Sequence, residues 1–93
     1  MTLVGSNLAT SVTAAAIGTP SASRKLLVIV NPAASGASVY IGGANVASTN
    51  AVFTLLQGDP PMIIANALGD SLAGETWYAR AASGTPTINF LEG

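Results

Sequence analysis

The chain has 93 residues, 49% of them hydrophobic, with three basic and four acidic side chains, a formal charge of −1, no histidine and no cysteine. That length holds a single core, without disulfides and without the histidine on which most acid–base and nucleophilic sites near neutral pH depend. Arg24, Lys25 and Arg80 are too few to track a phosphate backbone, so direct nucleic-acid binding is excluded on charge alone.

A free soluble surface usually carries roughly 25–35% charged side chains, and here the whole chain carries 8%. Some outward faces are therefore expected to be covered by neighbours. Compact packing of a chain this size predicts about 4,900 Å² of exposed surface. With no covalent or metal staple, further burial through self-association is the expected source of added stability. The longest apolar run, Leu26-Leu27-Val28-Ile29-Val30, is strand-length and not membrane-length. Residues 2–23 lack a basic start and a clean apolar stretch, so the chain reads as soluble, made in the cytoplasm and not exported by its own signal.

In chain order, residues 1–23 read as an extended N-terminal arm, poor in core-forming side chains, ordered in an assembly; residues 12–17 have the composition of an edge strand. Residues 24–93 read as one β domain. Its first strong element is Lys25-Leu26-Leu27-Val28-Ile29-Val30, stopped by Asn31-Pro32; apolar side chains on both faces predict a central strand covered on both sides. A turn at Ser35-Gly36 leads to Ser38-Val39-Tyr40-Ile41, expected to form a hairpin with it. Gly42-Gly43 ends that strand by positive φ or close backbone approach. Val52-Phe53-Thr54-Leu55-Leu56 and Met62-Ile63-Ile64-Ala65 follow as strands, separated by a loop containing Asp59-Pro60-Pro61.

Residues 66–74 allow one helical turn through Ala67, Leu68, Leu72 and Ala73, limited by Gly69 and Gly74. Residues 75–82 alternate, with Trp77, Ala79 and Ala81 on one face and Thr76, Tyr78 and Arg80 on the other. Gly84 and Pro86 mark a turn, and Thr87-Ile88-Asn89-Phe90-Leu91 is expected to return beside the preceding strand as a hairpin. Short strands, glycine and proline turns and no strong helix give an all-β class: a small antiparallel β-sandwich or a jelly-roll-like barrel.

The chemical readings are sparse. A two-carboxylate hydrolase would need a pair among Asp59, Asp70, Glu75 and Glu92, and nothing in their spacing fixes two across a substrate. Asp59 and Asp70 suit turn hydrogen bonds instead. Gly42-Gly43 lacks the pattern of a phosphate loop. No cofactor or metal set is apparent. Tyr40, Trp77 and Tyr78 fit either sugar stacking or protein contact; Trp77, beside alanines, suits the core, and the two tyrosines suit a subunit seam. Arg80 reads as an inter-subunit or strand-edge hydrogen-bond donor, or as a plain solvent-facing side chain. Arg24 and Lys25, at the start of the first strong strand, read as pinning the arm or blocking unwanted edge pairing.

Taken in order, Arg24-Lys25-Leu26-Leu27-Val28-Ile29-Val30-Asn31-Pro32, Val39-Tyr40-Ile41-Gly42-Gly43, Val46-Ala47-Ser48-Thr49-Asn50, Trp77-Tyr78-Ala79-Arg80-Ala81-Ala82-Ser83-Gly84-Thr85 and Ile88-Asn89-Phe90-Leu91-Glu92 resemble small virion proteins of tailed bacteriophages. The resemblance spans residues 12–92 and departs at Asp59-Pro60-Pro61, where a more acidic, glycine-containing turn is usual. It implies a non-enzymatic capsid decoration or cement protein on the outer surface of the virion. Its partners would be its own copies, as a homotrimer, and the major capsid protein. A tail, neck, baseplate or fibre component is the alternative, and a carbohydrate-binding attachment module a further one. Under any structural role the contacts are expected at Tyr40, Tyr78, Arg80, Arg24 and Lys25, with the arm reaching to a neighbour.

Overall fold

β-branched and leucine side chains between proline- and glycine-bearing turns do form strands. The computed structural model describes residues 3–66 and 72–93. Its strands are β1 (Val4–Ala9), β2 (Ala15–Ala16), β3 (Leu26–Val30), β4 (Val39–Gly42), β5 (Phe53–Leu55), β6 (Met62–Ala65), β7 (Tyr78–Ala81) and β8 (Thr87–Glu92). They make two four-stranded antiparallel sheets, a first in the order β1-β8-β3-β6 and a second in the order β2-β7-β4-β5. Packed face to face, the sheets form a β-sandwich. Its accessible surface, 4934 Å², is that of a normally compact chain of this length, so exposed apolar side chains do not reflect loose packing.

The core follows the period-two alternation of the strands. Leu27, Ile29, Met62, Ile64, Ile88 and Phe90 come from the first sheet. Val39, Ile41, Leu55 and Ala79 face them from the second, with Ile17 and Trp77 filling between. Trp77 is in the core as expected, and its indole N–H donates to the Leu72 carbonyl at 3.0 Å. Each fully buried aliphatic contributes about 1.5–3 kcal/mol of transfer free energy.

The expected pairings are changed in three places. β3 and β4 are not a hairpin, because they lie in different sheets. Asn31, fully buried, turns the chain across the sandwich: its side-chain amide donates to the Ala37 carbonyl at 2.9 Å and the Leu55 carbonyl at 2.8 Å. Its backbone carbonyl accepts from Gly58 N at 2.8 Å. Pro32 has no N–H with which to continue the ladder.

β7 and β8 are likewise separated, because residues 10 and 11 take the intervening position. Thr10 N and Oγ1 both donate to the Pro86 carbonyl, and Ala81 N donates to Ser11 O at 2.7 Å. Gly84 makes the turn before Pro86 at φ +63°, a left-handed conformation that favours glycine. Finally, β3 is central but covered on one side only: Leu27 and Ile29 are buried, while Leu26, Val28 and Val30 are half-buried on the outside.

The segment expected as an arm is built into both sheets. β1 pairs with β8 along six residues, β2 is an edge strand beside β7, and Thr10 and Ile17 are buried. Of the stretch expected to hold a helical turn, Leu72–Gly74 forms a 3₁₀ turn, while Ala67, Leu68, Gly69 and Asp70 lie outside the described residues. Asp59 accepts from Leu56 N at 2.9 Å, the turn role expected of it.

Replacing Asn31 with alanine is expected to leave the carbonyls of Ala37 and Leu55 without their donor and to cost about 2–4 kcal/mol. Urea unfolding checks this: the midpoint falls at unchanged m-value, whereas a midpoint within error of wild type refutes the corner role.

Candidate functional site

The second sheet turns one face to the core and the other outward, and the register decides which expected contact residues meet there. Tyr40 on β4 lies opposite Arg80 on β7 and Thr54 on β5, forming one cross-strand row. The next outward row places Tyr78 between Ala16 and Gly42. Tyr40, Tyr78 and Arg80 therefore share one surface, all half-buried and held on strands at the middle of the sheet. Arg80 Nη1 donates to the Val46 carbonyl at 3.4 Å and makes no ion pair among the described residues. Two phenol rings and one unpaired guanidinium on a rigid sheet are the side chains most often found as anchors at protein interfaces.

Gly42 permits the loop 43–52 to close against this face. A Cβ there would come to 3.1 Å from Val46 Cγ2, so close approach, and not positive φ, explains the glycine. Gly43, next in the chain, is exposed and uncrowded.

Arg24 is placed elsewhere. It is 4% exposed, inside the fold and not on a surface that meets partners. Its guanidinium pairs with Glu92 at 2.8 Å and donates to the carbonyls of Ala73, Ile17 at 3.4 Å and Glu75 at 2.7 Å. Glu92 Oε2 also accepts from Thr19 N at 2.9 Å. Gly18, at φ +65°, passes so close to that carboxylate that a Cβ would sit 2.5 Å from it. Arg24 thus ties residues 17–19 to the 3₁₀ turn and to the end of β8; of its two readings, the contacts are those of pinning the N-terminal segment. Lys25 is exposed. With Arg24 and Glu92 it lines an open groove of about 660 Å³.

Two residues important to this arrangement carry no sequence signal on their own: Glu92 and Gly18. Arg24 and Glu92 are 68 positions apart, and only the pairing of β3 with β8 brings them together. Knowing that pairing, an arginine just before one strand and a glutamate at the end of its antiparallel neighbour would have indicated the contact. Trp77, at 9% exposure, is not available to stack on a sugar. Among the described residues no helix is long and apolar enough to cross a membrane. Comparison with protein-family models, with curated proteins and with solved structures finds no match.

Arg24→Ala is expected to leave the Glu92 carboxylate and three carbonyls without their donor, at about 3–5 kcal/mol. Glu92→Gln is expected to cost less, about 1–3 kcal/mol, because the amide oxygen can still accept from Arg24, which also keeps its three carbonyl acceptors. Urea titration of the two variants gives the order; an Arg24→Ala cost below that of Glu92→Gln contradicts the clasp.

Proposed function

We propose that this chain is a non-enzymatic structural protein of a tailed-phage particle, which decorates the outer capsid surface and stabilises the shell by bridging neighbouring capsid subunits. The observation that supports this most is the gathering of Tyr40, Tyr78 and Arg80 on the outer face of the second sheet. The chain order of its strand and turn motifs resembles such virion proteins, and its low charge suits surfaces that work while covered. Two of the carboxylates that a hydrolase would need have structural partners, Asp59 in a turn and Glu92 on Arg24.

The mechanism is additive binding. Each copy contributes a modest contact, with tyrosine rings supplying rigid area at low entropic cost and Arg80 reaching a carboxylate or carbonyl of the shell. Bridging two shell subunits converts a second weak contact into an intramolecular one, so avidity exceeds the affinity of either contact by orders of magnitude. The six-residue pairing of β1 with β8 and the Arg24 clasp hold the sandwich rigid, which limits the ordering cost at each contact.

The test is co-sedimentation of the purified chain with phage shells lacking it. Tyr78→Ala together with Arg80→Ala should lower occupancy about tenfold or more with the unfolding midpoint changed little. No binding by the wild-type chain, or labelled copies confined to the tail of the imaged particle, rejects capsid decoration.

A further inference from the structure

We infer that the outer face of the first sheet is a two-fold interface between copies of this chain. A sheet with one solvated face normally alternates apolar inside and polar outside. Here the outward row of the first sheet runs Ile63, Val28, Leu91, Gly5 across all four strands, from β6 through β3 and β8 to β1. Ile63 is 64% exposed, the most exposed of the large hydrophobic side chains among the described residues. Leu26 and Val30 flank Val28 on the same face of β3.

The order of side chains along that row identifies the occupant. Place a two-fold axis parallel to the strands, in the interface plane and between β3 and β8. The row is then laid on its own reverse. Ile63 of each copy comes over Gly5 of the other, a projecting side chain onto a residue with none, and Val28 comes over Leu91. Leu26 falls over Gly93, to which it is joined by backbone hydrogen bonds of 3.1 and 3.0 Å in its own chain. Asn89 lies opposite Val30 and forms the polar rim. A shallow depression of about 150 Å³ between β3 and β8 runs along the line of the axis. The resulting contact is an aligned sheet-on-sheet packing, isologous and closed.

Charge agrees with a self-contact. None of the side chains in these rows is ionised, so opposing two copies brings no charged side chains together. The outer face of the second sheet differs: self-packing about an axis through Arg80 would oppose two guanidinium groups, which favours a different partner there. The first-sheet face measures about 20 by 17 Å, from four strands of about five residues. That is smaller than the roughly 800 Å² per partner of a standard interface, so the pair is expected to be weak and to form with rising concentration. A two-fold pair differs from the three-fold arrangement that the resemblance implies. The inference does not depend on which part of a particle, if any, the chain occupies.

Sedimentation equilibrium from micromolar to millimolar concentration tests it. The expected weight-average mass rises from one chain toward two. Ile63→Lys and Gly5→Asp should each weaken association about tenfold or more and keep their melting temperatures. Both positions accept a change within the fold: Ile63 points outward, and the nearest atom to a Cβ at Gly5 is Leu91 Cδ1 at 3.9 Å. Mixing the two variants should restore pairing, since one contact then sets the introduced lysine against the introduced aspartate and the other remains Ile63 over Gly5. A wild-type chain monomeric throughout, a mass of three chains, single variants that still pair, or a mixture that stays monomeric overturns the interface.

Discussion

The Arg24 guanidinium reaches four acceptors in three separate parts of the chain: Ile17, the stretch from Ala73 to Glu75, and Glu92. Ile17 marks the last core residue of the N-terminal segment, Ala73 lies within the 3₁₀ turn and Glu75 just after it, and Glu92 ends β8. Apolar burial holds the middle of each sheet but does not specify where the segment before β3 runs. A buried cation does specify it, because a misplaced acceptor leaves a charge without partners. The clasp therefore converts loosely composed residues 10–23 into a defined connection between the two sheets. Gly18 is part of the same device, since only a residue without a side chain fits beside the Glu92 carboxylate.

With that connection fixed, the two outer faces become chemically distinct. One presents Tyr40, Tyr78 and Arg80, side chains that combine area with directional hydrogen bonds. The other presents an uncharged aliphatic row with a projecting end and an empty end. A chain with 8% charged residues cannot mark its surfaces by electrostatic pattern. On the two proposals, shape and hydrogen-bonding capacity would distinguish one partner from another, and the two faces would divide those roles.

Strands β3 to β8 were legible in the sequence because their signals are local, whereas β1, built from Val, Gly, Ser, Asn, Leu and Ala, read as part of an arm. β-branched runs bounded by Asn31-Pro32, Gly42-Gly43 and Pro60-Pro61 fall within a residue or two of β3, β4 and β6, and the alternation around Trp77 correctly separated Ala79 and Ala81 from Tyr78 and Arg80. Pairing was not legible. Sequential strands separated by a short turn normally form hairpins, and here the alternative is decided by contacts at long range: Asn31 to Leu55 and Thr10 to Pro86. The same limit applies to the site. Alternation was enough to place Tyr78 and Arg80 on one face, whereas the buried role of Arg24 follows from a partner at the other end of the chain.

Face-to-face association also requires that the sheets do not grow sideways. Unpaired strand edges invite pairing with other chains, and proteins usually blunt them with charge. This chain has almost no charge to use, and it relies on brevity and proline instead. β2 and β5, the edges of the second sheet, are two and three residues long. β6, one edge of the first sheet, is preceded by Pro60 and Pro61, which cannot donate to a ladder. β1 is the exception: six residues, uncharged and without proline. A strand joined to it edge to edge would extend the first sheet sideways and could leave the Ile63 row uncovered. Covering that row with a second copy would bury apolar area without relying on the open edge. The proposed face contact and the three protected edges thus work in the same direction, toward closed pairs and away from open-ended sheets.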